Sequence, residues 1–205
     1  DIEPDTWNMD VAQIEAKITS KTKAIMAVHM YGHPCDMEAI MKIAKKHKLI
    51  VIEDASQVHG ALVNGKKCGG IGDVATFSFY ANKIITTGEG GMVTTSNQKI
   101  AERARSYRNL CFKSERRFYH TELGENFRMT NMQAALGVAQ MERVVEFVAL
   151  KRKIGFKYLE ELNKIEGVKA QIEKPGMKMV FWMYAIELSP DLNLDAKTVM
   201  AALAE

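Results

Sequence analysis

With 205 residues the chain is long enough for one large domain, or for one domain and part of a second. Its 47% hydrophobic and 26% charged residues are the balance of a folded globular protein, which excludes disorder, collagen-like repeats and a disulfide scaffold as whole-chain readings. A net charge of +3, from 28 basic and 25 acidic residues, is too small an excess for a nucleic-acid footprint but leaves a small nucleotide-containing ligand open.

The opening, DIEPDTWNMD, is polar and starts without methionine. It reads as an entry into the middle of a longer chain, so a fragment is expected. Residues 1–22 are mixed, with a short helical pattern in Val11, Ile14 and Ile18. Residues 24–32, AIMAVHMYG, are apolar and end in glycine, which predicts a buried strand. Asp36 is a favoured N-cap ahead of Met37, Ile40, Met41, Ile43 and Ala44, an apolar face at helical spacing. Residues 49–55, LIVIEDA, are the next buried strand. Strand, helix and strand in close succession make the βαβ unit of a parallel sheet.

Two further strands are predicted at 74–80 (VATFSFY) and 91–96 (GMVTTS), then a helix at 98–108 and a long loop at 109–127. Thr130-Asn131-Met132-Gln133 fits a capping box. Behind it a helical pattern runs through Ala135, Leu136, Ala139, Val144 and Val148 to Leu162, long enough to bridge two domains. After Gly167, VKAQI and VFWMYAIEL read as strands, and Asp195 caps a final helix that stops at Glu205. The expected fold class is α/β. A large domain with a mostly parallel sheet is expected over 1–145. Residues 146–205 are the linking helix and the truncated start of a smaller α+β domain. No apolar run approaches the roughly 20 residues of a membrane span.

Three polar clusters leave strand ends, where parallel α/β sheets bind ligands. The first is Glu53-Asp54-Ala55-Ser56-Gln57. A carboxylate leaving an apolar strand is a candidate site residue, or else a cap for the next segment. The second is the run from Phe77 to Lys83, a strand of aromatic and β-branched residues that emerges at a hydroxyl and then a lysine. In isolation Lys83 reads as a surface lysine. The third, Thr86-Thr87-Gly88-Glu89-Gly90-Gly91, matches neither nucleotide fingerprint and is a phosphate cradle or a simple turn. Together, carboxylate, lysine and cradle match one cofactor, pyridoxal phosphate, whose aldehyde bonds a lysine and whose ring nitrogen needs an acidic partner. Cys35, Cys68 and Cys111 are scattered and odd in number, which reads as reduced thiols of a cytosolic protein. His29, His33 and Cys35 match none of the common zinc spacings, and no metal is expected. His29 and His33 flank a strand end and are open to a substrate-side role, whereas His59 reads as a satisfied polar residue. The basic cluster 113–117 is a solvated loop or a partner for a diphosphate.

The run EDASQVHGALVNGKKCGGIGDVATFSFYANKIITTGEGGMV resembles the DegT-type nucleotide-sugar aminotransferases. The resemblance extends upstream through AIMAVHMYGHPCDM and downstream through GENFRMTNMQAALGVAQMERV, nearly the whole chain. It implies the aspartate-aminotransferase-like fold of pyridoxal-phosphate transferases. It also implies a cytoplasmic homodimer with shared active sites. Lys83 then falls on the lysine that bonds the cofactor, Asp54 on the partner of the ring nitrogen, and Gln57 on the contact to the ring hydroxyl. Ser78 falls on a phosphate ligand, and Asn126 on a residue that reaches the phosphate of the neighbouring subunit. Within the family, VHMYGHPCDM, RNLCF, RFYHTELGENFRMTN and FWMYAIEL are most similar to members that aminate C4 of GDP-4-keto-6-deoxy-mannose with glutamate, for lipopolysaccharide O-antigen. Ser56 departs from the family's common alanine. The ring-stacking aromatic and further phosphate-binding groups are expected outside these residues. Two alternatives share the fold. A dehydratase would carry histidine in place of Lys83, and a non-catalytic sensor would have no need of the lysine. UDP- or dTDP-linked keto sugars are the alternative substrates.

Overall fold

The computed structural model describes residues 1–113 and 115–204. Glu205, the expected end of the last helix, and Ser114, inside the basic cluster, lie outside the described residues. A short helical turn leads into α1 (Ile14–Lys17), and Ile14 is buried. Strand β1 (Ala24–Val28), helix α2 (Met37–His47) and strand β2 (Ile50–Asp54) follow as the expected βαβ unit. The strands pair in parallel, from Ala24 with Ile50 to Val28 with Asp54. Asp36 caps α2, its carboxylate accepting the Ala39 N–H at 3.1 Å. Met37, Ile40 and Ala44 bury the helix against Ile25, Ala27 and Val51. The strands are buried on one face only, since Met26 and Ile50 stand half-exposed on the other. Local hydrophobicity does not reveal which of two apolar faces is covered.

Strand β3 (Leu62–Val63) and strand β4 (Lys66–Lys67) form a small hairpin. Its turn, Asn64-Gly65, has both residues at positive φ, as a two-residue hairpin loop requires. Strand β5 (Val74–Ser78) joins β2 in parallel, placing Thr76 beside Asp54, and strand β6 (Gly91–Thr94) closes the sheet antiparallel to β5. Its order is β1-β2-β5-β6. Helix α3 (Gln98–Arg108) has the predicted bounds and ends in the predicted loop, where Asn109 forms an isolated bridge with Asn126.

The capping box is present, with both Thr130–Gln133 hydrogen bonds made. The long helical pattern divides into α4 (Asn131–Glu142) and α5 (Val144–Leu162) at Arg143, whose φ of −106° and ψ of 5° leave the helical region. Strand β7 (Val168–Ala170) pairs antiparallel with β9 (Ile186–Leu188), and β8 (Met177–Lys178) adds to β3. The expected strand VFWMYAIEL is therefore corrected, since only Ile186–Leu188 pairs. Phe181 has φ 49°, which no strand accommodates. Helix α6 (Ala196–Leu203) starts at Asp195 as expected. The C-terminal part is tied to the opening residues. Gln171 donates to the Thr6 carbonyl at 2.7 Å, Lys169 to that of Pro4 at 2.7 Å, and Lys174 meets Glu3 at 2.9 Å.

At the sheet's centre Glu53 is completely buried. Its carboxylate accepts N–H groups from Gly69 at 2.7 Å, Ile71 at 2.8 Å and Gly72 at 2.6 Å. His29 Nε2 lies 3.3 Å away, and His29 Nδ1 accepts the Cys35 N–H, which assigns the ring proton to Nε2 and makes it the donor to Glu53. Burial alone pushes the Glu53 carboxyl up, but these donors outweigh it and hold it below its ordinary 4.5. The group therefore stabilises the fold fully above pH 4.5, and the contribution declines as pH falls towards the lower folded-state pKa. Glu53→Ala strands three amide groups and is expected to cost roughly 3–5 kcal/mol in urea unfolding at pH 7. A loss that persists undiminished at pH 3 would contradict a role for the charge.

Candidate active site at the carboxyl ends of β2 and β5

Lys83 sits on a tight loop beyond β5. The loop is closed by the Lys83 N–H on the Tyr80 carbonyl at 3.0 Å, while Phe79 is bonded on both sides, to Gly90 and to Thr87, each at 2.9 Å. The glycine-rich run thus turns the chain from this loop into β6. Gly90 has no room for a Cβ, which would lie 2.7 Å from the Thr87 hydroxyl and 2.9 Å from the Met129 methyl. The Lys83 ammonium lies 3.8 Å from the centre of the Trp182 ring. Partial burial lowers its pKa below the ordinary value, and the negative charge of Asp54 opposes that shift. Beside it opens a cleft of about 270 Å³, lined by Phe147, Leu150, Lys151 and Ile154 of α5 together with Trp182.

Asp54 ends β2. One carboxylate oxygen accepts the Ser56 N–H at 3.0 Å, so the residue braces a turn and not a helix. Gln57 offers its amide oxygen to the Tyr31 N–H at 2.6 Å, which leaves its NH₂ without a partner among the described residues. Ser78 is the last residue of β5, on the strand adjacent to Asp54, and its oxygen accepts the Tyr80 N–H at 3.3 Å. Asp54, Ser78 and Lys83 are thus gathered at one end of two neighbouring parallel strands, with Gln57 on the turn that follows. Asn126 stands apart, exposed on the long loop beyond α3.

This donor set fits pyridoxal phosphate. A carboxylate near a half-buried lysine suits a ring nitrogen and an aldehyde, a free amide NH₂ suits a ring oxygen, and a hydroxyl at a strand end suits a phosphate. Other polar residues have different work. His29 and His33 are buried structural groups. His29 serves Glu53, and His33 bonds Pro34, Asn8 and Lys174. His29, Glu53 and Cys68 place donor atoms within 4.8 Å of one another, but both Glu53 oxygens already accept backbone N–H groups. Cys35, Cys68 and Cys111 are free thiols, and burial raises the pKa of Cys35 to about 12.

With this geometry in place, the whole chain, residues 1–205, matches the DegT/DnrJ/EryC1/StrS aminotransferase family, and it belongs to that family. The family depends on pyridoxal phosphate. A GDP-perosamine synthase of Caulobacter vibrioides is 44% identical over 99% of this chain and 55% of its own length. A dTDP-3-amino-3,6-dideoxy-alpha-D-galactopyranose transaminase of Aneurinibacillus thermoaerophilus is 44% identical over 79% of this chain and 45% of its own length. Among solved structures, an aminotransferase from Psychrobacter cryohalolentis superposes with a TM-score of 0.87 at 34% identity, over 96% of this chain and 54% of that one. The chain spans about half the length of the curated relatives it matches.

His59, expected to be satisfied, is buried between the Phe77 and Phe79 rings with neither ring nitrogen hydrogen-bonded. Burial, then the nearby charge of Lys83, depresses its pKa from 6.5 to about 4. A group held neutral in this way favours unfolding once the unfolded chain takes up a proton. Stability is therefore complete above pH 6.5, falls between 6.5 and about 4, and loses nothing more below that. In urea titrations of the full-length protein, His59→Phe is expected to remove roughly 3 kcal/mol of pH-dependent loss between pH 7 and 4. An unchanged pH profile would mean that His59 is protonated in the fold.

Proposed function

We propose that this chain is the cofactor-binding part of a pyridoxal-phosphate aminotransferase that moves the amino group of glutamate to the 4-keto carbon of GDP-4-keto-6-deoxy-mannose, giving GDP-perosamine. The supporting observation is a half-buried lysine of lowered pKa at the end of β5, beside Asp54 at the end of the adjacent strand. The similarity to the perosamine synthase supports the sugar. When bound, the cofactor supplies a protonated ring that withdraws electrons from the reacting carbon. The Asp54 carboxylate holds the proton on the ring nitrogen. The Gln57 NH₂ orients the ring through its hydroxyl, and the Ser78 hydroxyl donates to the phosphate. Lys83 in its neutral form accepts the proton of the amino-acid carbon, and its conjugate acid returns one to C4 of the sugar. A single group serves both directions because its lowered pKa brings the two forms closer in population.

In this reading residues 1–145 form the cofactor-binding unit, and 146–205 form the linking helix with the start of a small unit. The enzyme is a cytoplasmic homodimer, in which the exposed Asn126 serves the phosphate of the partner subunit, and its product feeds O-antigen assembly. A dTDP- or UDP-linked keto sugar is the second reading. It is supported by the transaminase that shares 44% identity with this chain.

In the full-length enzyme, Lys83→Ala is expected to lower transamination by at least roughly 100-fold and to abolish borohydride fixation of the cofactor at this peptide. Asp54→Asn is expected to lower turnover comparably with cofactor still bound, because the charge is removed and the phosphate contacts persist. Near-normal turnover of either variant would overturn the assignment.

Offered GDP-, UDP- and dTDP-linked 4-keto sugars with glutamate, the enzyme is expected to aminate chiefly the GDP-linked ketone. Preference for either other nucleotide, or for a 3-keto sugar, would leave the family and replace the substrate.

A further inference from the structure

We propose that Trp182 is the positioning residue for Lys83, its indole face serving as the seat on which the side-chain ammonium rests whenever it is not bonded to the cofactor. This rests on the reading of Lys83 as the cofactor lysine. The contact is direct, with Nζ 3.8 Å from the ring centre. The indole belongs to a segment about 100 residues further along the chain, yet it is fixed to the lysine's own loop, because its N–H donates to the Asn82 carbonyl at 2.9 Å. The ring therefore keeps one place relative to the backbone of the lysine's loop.

The seat is also fixed relative to the rest of the site. Val180 donates to the Gly32 carbonyl at 2.9 Å. Gly32, at φ +99°, lies so close to this segment that a Cβ would stand 2.6 Å from the backbone nitrogen of Trp182 and 2.8 Å from that of Phe181. Phe181 is buried against Phe156, and its ring fills the space where Gly155 of α5 has no side chain. The preceding residue of the turn, Tyr31, is held by Gln57. A continuous set of contacts thus runs from Gln57 through the 31–32 turn and Phe181 to Trp182 and Lys83.

An aromatic face discriminates between the two forms of an amine. It attracts the ammonium through the ring quadrupole and gives the neutral amine no comparable gain. The seat therefore favours the acid form. The charged or titratable groups that bear on Lys83 are Asp54 from β2 and His59 from the turn after it, and Lys151 of α5 lines the same cleft. Asp54 acts in the same direction as Trp182, while burial acts in the opposite one. His59 is neutral at pH 7 and adds no charge. A cation–π contact is weak enough to release the amine when the cofactor aldehyde is offered, unlike a buried ion pair.

The test is competitive acetylation of full-length apoenzyme with trace acetic anhydride across a pH series, read lysine by lysine by peptide mass mapping, together with borohydride fixation of pyridoxal phosphate to the holoenzyme. Trp182→Leu is expected to lower the Lys83 pKa by roughly half to one pH unit. Trp182→Phe is expected to lower it less, because it keeps a weaker π face, and the exposed Lys67 should be unaffected in both. Should the leucine variant fail to fold, Trp182→Met fills the space without a π face and carries the same expectation. If borohydride fixes the cofactor to Lys83 and the pKa is the same with leucine or methionine as with tryptophan, the seat is refuted and the functional reading stands. If borohydride fixes the cofactor to another lysine, the functional reading falls and the seat falls with it.

Discussion

The buried carboxylate of Glu53 is the constraint on which the site depends. A strand alternates its side chains, so two successive acids at the end of β2 must face opposite ways. Glu53 faces the interior, where three backbone N–H groups and the neutral His29 stabilise its charge, while Asp54 faces the other way. The three amides belong to the segment that delivers the chain into β5. Pinning that segment sets the register of Ile52 against Val74 and of Asp54 against Thr76. That register brings Ser78, and five residues later Lys83, to the same edge as Asp54. A slip of one residue would turn the hydroxyl of Ser78 to the other face.

The environment of Lys83 is a balance of modest opposing effects. Partial burial favours the amine, Asp54 favours the ammonium, and a neutral histidine lies nearby without contributing charge. An exposed lysine would remain protonated and inert, and one paired tightly to a buried acid would be held in the same form. Half-burial with a carboxylate nearby leaves the amine form easier to reach than it is for an exposed lysine.

Much of this was legible in the sequence where the signal was local. The apolar face behind Asp36, the Thr130–Gln133 capping box and the bounds of α3 are short-range patterns, and all three are present. The asparagine-glycine turn between β3 and β4 is a local signal of the same kind. The run VFWMY defeated the reading because its aromatic residues suit a strand, whereas tethering of Val180 to Gly32 and burial of Phe181 against α5 impose another path. The break at Arg143 has no glycine or proline to announce it. Strand ends and spacing point to Asp54 and Lys83 and resemblance to Gln57, Ser78 and Asn126, and the fold gathers all of these but Asn126. Trp182 was hidden, because only long-range packing brings it to the lysine.

The ties between the opening residues and the C-terminal part have a consequence for synthesis. Thr6 and Gln171, and likewise Pro4 and Lys169, are partners 165 residues apart. At 5–20 residues per second, a ribosome needs on the order of ten to thirty seconds to make the second member of each pair after the first. Through that interval the Pro4 and Thr6 carbonyls lack the partners they have in the fold. The βαβ unit has its own local contacts and can form early. The two ends of this stretch of chain therefore come together late, and chaperone binding and aggregation compete with folding chiefly during that delay.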